Sequence, residues 1–167
     1  MPQSTPADRL TTITSHLTSA NPSTAPPKMA PATRPPITCH ILDTLTGLPA
    51  PNVPVTVTLL TPTPSTPISF TALTNSDGRV PGWTSSAPTT DMQTLFESYE
   101  QSQDLKWVAR FDVEEYFAKA GVKPFFPEVE IRFLTQGFGP DARGEERGHW
   151  HVPLLLGPYS YTTYRGS

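Results

Sequence analysis

Between Val53 and Leu59 the chain reads Val-Pro-Val-Thr-Val-Thr-Leu, so Val53, Val55, Val57 and Leu59 alternate with Pro54, Thr56 and Thr58. A period of two sends successive side chains to opposite faces of an extended chain, which makes this a half-buried strand; a helix would scatter the same residues around its axis. Pro54 is tolerable because it lies near the start of the run. Similar runs are readable at 37–43, 68–74, 79–84, 106–111, 127–134, 149–156 and 159–165. Eight short strands separated by turns predict an all-β sandwich. Asn75-Ser-Asp-Gly78 supplies the turn between the third and fourth strands. One segment breaks the rhythm: Asp112 as N-cap with Glu115 three positions on, then Tyr116, Phe117 and Ala120, with Gly121 as the stop, predicts one short helix. The stretches 61–67 and 87–104 are polar or proline-rich and read as loop insertions, the second with a helical turn around 92–99.

Proline divides the chain. Of 21 prolines, eight fall within the first 36 of 167 residues, where no strand pattern is found. Residues 19–36, SANPSTAPPKMAPATRPP, can hold neither a helix ladder nor a packed face and read as a disordered linker, leaving 37–167 as the folded domain. Ahead of the linker, residues 1–18 contain Arg9-Leu10 and His16-Leu17 with five residues between the pairs. On a helix, seven residues make nearly two turns, so Arg9 stacks over His16 and Leu10 over Leu17. The spacing resembles the N-terminal peroxisomal targeting nonapeptide, Arg/Lys-Leu-x5-His/Gln-Leu/Ala. The resemblance implies recognition of Arg9, Leu10, His16 and Leu17 by a peroxisomal import receptor. A Thr/Ser-rich disordered arm, in a cytoplasmic protein, and a mitochondrial presequence are the alternatives; the latter would have only two basic residues ahead of Pro31.

The charge is −3 overall, and Arg9, Lys28 and Arg34 against Asp8 place +2 of it in the first 36 residues, so the domain carries −5. That balance disfavours a nucleic-acid partner, which asks for a clustered basic surface. The longest apolar run is far short of the ~20 residues of a membrane helix, so a soluble protein with no membrane partner is expected. The single cysteine, Cys39, excludes an intrachain disulfide and fits a reducing compartment.

With no Gly-rich phosphate loop and no serine elbow, candidate catalytic groups are few. His40 alternates away from Ile37, Cys39 and Ile41, while His149 and His151 flank Trp150 and share one face. For each histidine the simplest reading is a solvated or hydrogen-bonded side chain. The His149-x-His151 pair also suits zinc geometrically, but one cysteine and two or three histidines make a poor ligand set, and neither metal nor cofactor is expected. Arg79, in its turn, reads by itself as an exposed cation.

Four segments then carry a family resemblance: Ile37-Thr-Cys-His-Ile-Leu-Asp-Thr-Leu-Thr-Gly-Leu-Pro-Ala50, Ser76-Asp-Gly-Arg-Val80, Phe125-Phe-Pro-Glu-Val-Glu-Ile-Arg-Phe133, and His149-Trp-His-Val-Pro-Leu-Leu-Leu-Gly-Pro-Tyr-Ser-Tyr-Thr-Thr-Tyr-Arg-Gly-Ser167. Over about 37–167 the chain resembles the 5-hydroxyisourate hydrolase branch of the transthyretin family, and the Tyr-Arg-Gly-Ser motif marks that branch apart from the hormone carriers. The resemblance implies a transthyretin-like β-sandwich of two four-stranded sheets with one short helix, assembled as a homotetramer whose sites lie where dimers meet. It also implies hydrolysis of 5-hydroxyisourate to 2-oxo-4-hydroxy-4-carboxy-5-ureidoimidazoline in urate degradation. Carried over residue by residue, the catalytic set falls on His40, Arg79, His151 and Ser167, with Tyr164 joining them in binding substrate. Carriers hold Lys, Glu and Thr at the first three positions. Trp150 departs from the family's usual Tyr.

The chemistry suits these groups. Opening a cyclic amide requires taking a proton from water, stabilising an oxyanion and protonating the leaving nitrogen, tasks for neutral imidazole, guanidinium and imidazolium. A neighbouring arginine should disfavour imidazolium and keep a histidine basic near neutral pH. Gly166 permits a tight turn, so the serine hydroxyl and closing carboxylate of Tyr164-Arg-Gly-Ser167 are expected to approach His40, Arg79 and His151. The rival readings are a transthyretin-like carrier of hydrophobic small molecules and a sandwich module used only for interaction; His40, Arg79 and His151 occurring together discriminates against both.

Overall fold

The structure, a computed structural model, describes residues 34–139 and 148–167. The targeting reading of 1–18 and most of the linker lie outside the described residues.

Among the described residues nine strands form two sheets. The first has the order β2-β1-β8-β9, from β1 (Ile37–Asp43), β2 (Leu48–Pro49), β8 (Trp150–Leu156) and β9 (Tyr161–Thr163). The second has the order β5-β4-β3-β6-β7, from β3 (Pro54–Thr61), β4 (Ser69–Leu73), β5 (Thr84–Ser85), β6 (Asp104–Asp112) and β7 (Glu128–Gln136). The sandwich is as expected, but the second sheet has five strands rather than four. The expected strand at 79–84 is also different: only Thr84–Ser85 joins β4, while Gly78 and Val80 turn back to bond β1.

Alternation builds the core. Val55, Val57 and Leu59 of β3 are buried with Leu105, Trp107, Ala109 and Phe111 of β6, facing Ile37, Cys39, Ile41 and Leu154 of the other sheet. The indole nitrogen of Trp107 donates to Thr135 Oγ1 at 2.9 Å, so the largest core side chain leaves no polar atom unsatisfied.

Two helices are present among the described residues. Helix α1 (Met92–Glu97) lies inside the second insertion, capped by Asp91 Oδ1 accepting from Thr94 N–H at 2.7 Å. It makes that insertion part of the core, because Phe96 is fully buried, stacks on Trp107 and Trp150 at 5.5 and 5.3 Å between centroids, and lies tilted against Phe138 at 5.0 Å. Helix α2 (Glu114–Lys119) is the one expected, with Gly121 at φ +71 after it, but Asp112 is not its cap. The N-cap is Val113, and Asp112 closes β6 with its carboxylate on Arg110 at 2.8 Å. The backbone N–H groups of Val113 and Glu114 donate instead to Pro127 O, which satisfies two of the free donors at the helix start.

Candidate active site

The site begins with the pairing of β1 and β8, which run parallel with Thr38 opposite His151 and His40 opposite Pro153. Ile37, Cys39 and Ile41 point inward and are buried. Thr38, His40 and His151 therefore share the opposite face. Burial pushes the Cys39 thiol up to about 12, so it is an inert core side chain.

Arg79 arrives along the other edge of β1. His40 and Arg79 form an isolated antiparallel bridge, bracketed by Ile41 N–H to Gly78 O at 2.9 Å and Val80 N–H to Cys39 O at 3.2 Å. The turn delivering Arg79 is the one expected: Asn75 Oδ1 accepts from Asp77 and Arg79 N–H, and Gly78 has φ +68. Any Cβ at Gly78 would collide with Ile41 O, so close approach to β1 as well as backbone conformation selects glycine. Arg79 is exposed and His40 half-buried.

His151 is buried, with ring centroids 6.5 Å from His40 and 6.3 Å from His149. Its Nδ1 lies 2.7 Å from Thr38 Oγ1, which also sits 3.0 Å from His149 Nε2. Beyond β9 the chain crosses His151 again, through a bridge in which Gly166 N–H donates to His151 O at 3.0 Å. Glycine is required there because a Cβ would strike the His151 ring and press on Pro153. Ser167 follows one residue after this bridge, with its side chain exposed.

All three imidazoles are biased towards the neutral form. Burial, then the Arg79 guanidinium, lowers the pKa of His40, with Asp77 opposing. Burial, then Arg79, His149, Arg34 and His40, lowers that of His151, and burial with Arg34 lowers that of His149. A guanidinium beside two basic rings matches the electrostatics expected of the site.

Not every anticipated residue gathers at one point. His40, Arg79 and His151 meet on the outer face of the first sheet. Tyr164 instead lines a cavity of about 290 Å³ between β7 and the β8–β9 strands, together with Ile131, Phe133, Trp150 and His151, and neither His40 nor Arg79 lines it. His151 thus touches both regions. Among the described residues no group of three or more His, Cys, Asp or Glu is arranged to hold a metal ion. The residue whose part in the site went unread is Thr38, although alternation already placed it on the His40 face.

Comparison with known proteins bears on this geometry. Residues 37–166 match the model of the HIUase/Transthyretin family. A relative in Schizosaccharomyces pombe, described as a probable 5-hydroxyisourate hydrolase, is 38% identical over 135 residues, covering 80% of this chain and 92% of its own. The solved 5-hydroxyisourate hydrolase of Klebsiella pneumoniae is 27% identical with a TM-score of 0.53, over 78% of this chain and 97% of that one. The transthyretin of Sparus aurata is also 27% identical, with a TM-score of 0.58, over 80% of this chain and 97% of its own. One sandwich therefore serves both a hydrolase and a transthyretin, so the fold alone does not decide between them.

Proposed function

The chain belongs to the HIUase/Transthyretin family, and within it we propose that this protein hydrolyses 5-hydroxyisourate. The observation that carries the proposal is the meeting of His40, Arg79 and His151, from a strand, a turn and a second strand, on one sheet face. Nothing in the packing of a sandwich asks for two imidazoles beside a guanidinium outside its core.

In this reading His40 and His151 share the proton work. Both are held neutral, one takes a proton from water as it attacks the cyclic amide, and the imidazolium so formed supplies a proton to the departing nitrogen. Arg79 binds substrate oxygens with its planar fork and counters the charge that develops on the tetrahedral oxygen. Its charge also opposes protonation of both rings before substrate arrives. Tyr164, which follows β9, and Ser167, which follows the Gly166 bridge to His151, are assigned to substrate binding by their motif positions.

We place this site in a homotetramer. Arg79 is exposed and His40 half-buried, Tyr159, Tyr161 and Tyr164 leave aromatic surface uncovered, and a facing subunit would exclude water from the reaction. We also assign the protein to peroxisomes through Arg9, Leu10, His16 and Leu17, on the strength of their spacing. Carriage of hydrophobic small molecules, the alternative, gives these histidines and Arg79 no task.

The test is to generate 5-hydroxyisourate in situ with urate oxidase and follow its ultraviolet decay with the protein present, after exhaustive dialysis against a chelator. Acceleration well above the spontaneous rate is expected. Decay at the spontaneous rate would overturn the proposal, and acceleration that appears only when zinc is restored would overturn the metal-free chemistry.

A further inference from the structure

The hydroxyl of Thr38 lies between two imidazole nitrogens, and simple proton counting limits what the three groups can do. A hydroxyl owns one proton and can accept others. At 2.7 Å from His151 Nδ1 and 3.0 Å from His149 Nε2, both contacts are hydrogen bonds, so with both rings neutral Oγ1 either donates in one and accepts in the other, or accepts in both from a protonated nitrogen of each ring. Where Oγ1 gives its proton to one of the rings, the tautomers of the two histidines are tied. If Oγ1 donates to His151, the proton of that ring sits on Nε2 and the ring offers no lone pair beyond Thr38. If Oγ1 donates to His149, Oγ1 is left to accept from His151 Nδ1–H, and His151 Nε2 becomes a free base.

The position of Thr38 leaves little slack. It is 9% exposed, although it points to the outer face of its sheet, because the two rings cover it. Its Cα is paired directly with that of His151 in the parallel register, which holds the two side chains next to each other on one face. The far side of His151 is closed by Gly166, whose backbone lies against the ring. The imidazole is held from both sides, and one of its nitrogens is assigned by Thr38.

We infer that Thr38 is a positioning residue which, by donating its hydroxyl proton to His149 Nε2 and accepting the Nδ1–H of His151, fixes His151 in the tautomer whose Nε2 serves as a base. The choice of this arrangement over its reverse rests on the hydrolase reading, which asks for a free base on His151; the measurement of the tautomer does not. His149 then has a part that neither a solvated surface histidine nor a zinc ligand would have: it is the acceptor that sets the direction of the Thr38 hydroxyl.

Two measurements on the full-length protein separate these parts. With histidines labelled with nitrogen-15, long-range proton–nitrogen correlation spectra above pH 7 read the tautomer of each ring, with signals assigned through His149→Gln and His151→Gln. The expected result is Nδ1–H on both His149 and His151 in the unsubstituted protein, and a mixture on His151 in Thr38→Val. Finding Nε2–H on His151 in the unsubstituted protein would overturn the inference, whether or not it hydrolyses anything.

In the urate oxidase assay, Thr38→Val should lower kcat by at least about tenfold, within the range a misplaced proton acceptor produces, with KM changed less than about twofold. Thr38→Ser, which keeps the hydroxyl, should recover most of that loss. His149→Phe should lower kcat, and Thr38→Val/His149→Phe should be no worse than Thr38→Val alone. A Thr38→Val protein that turns over at close to the unsubstituted rate would overturn the positioning role. So would additive losses in the double variant. If the unsubstituted protein shows no turnover, the hydrolase reading fails, and the spectra still decide the tautomer.

Discussion

The two faces of the β1–β8 pair share one backbone and one register, and they are governed by different physics. Inward, Ile37, Cys39, Ile41 and Leu154 are almost wholly buried and make no specific polar demand. What matters there is volume, since interiors are packed as densely as organic crystals. Outward, Thr38, His40 and His151 are held by directed bonds and by Arg79, and what matters is which atom carries a proton. A change on one face should therefore be read out as stability, and on the other as rate.

The most direct way to break that comparison is to truncate the outer face. His40→Ala and His151→Ala are each expected to lower turnover by about 10²–10⁴-fold, the usual contribution of a positioned acid or base, with the melting temperature little changed. A loss of the same size in stability would show that the outer face also holds the fold together. The complementary change is Phe96→Ala, beneath Trp150 and beside Trp107. It should cost about 3–5 kcal/mol of unfolding free energy, as removal of a buried aromatic ring does, checked by denaturant titration. If turnover per folded molecule is retained, the faces are separate; if it falls with stability, the aromatic stack reaches the histidines through Trp150.

The smallest effect sharpens the electrostatics. Burial and then Arg79 hold His40 and His151 below the ordinary imidazole value of 6.5, so kcat/KM should persist to pH values below 6.5 before its acid limb. Arg79→Gln removes the second of those causes and should move the limb up towards 6.5, in addition to weakening substrate binding. Stability has the same sign: between the lowered values and 6.5 the unfolded chain binds more protons than the folded one, so acidification through that window destabilises the protein. An acid limb that stays put in Arg79→Gln would mean that burial alone depresses the two rings.

Much of this was legible in the sequence, for reasons that can be named. β1 runs over Ile37–Asp43 as expected because Ile37, Cys39 and Ile41 alternate cleanly, and the Asn75–Gly78 turn is chemically unambiguous. The strand expected at 79–84 failed because Gly78 and Val80 spend their backbone hydrogen bonds on Cys39 and Ile41, a pairing across some forty residues that no local pattern records. Asp112 looked like a cap because nothing nearby showed Pro127 O waiting for the same N–H groups. The insertion at 87–104 looked peripheral because one residue, Phe96, carries its attachment to the core. At the site, the catalytic set came from motif resemblance, and the structure brings His40, Arg79 and His151 together. Thr38 was missed because threonine in a strand is ordinary, and only the parallel register shows two rings converging on it.

That parallel register also sets a clock. Thr38 and His151 are 113 positions apart, so at a synthesis rate of roughly 5–20 residues per second, β1 waits on the order of ten seconds for the strand that completes its site. During that time the ribosome-bound chain holds His40 with no His151 to work beside it, and the apolar side of β1 has one prospective neighbour missing. The activity would switch on only when β8 docks, one of the last events in the making of the chain.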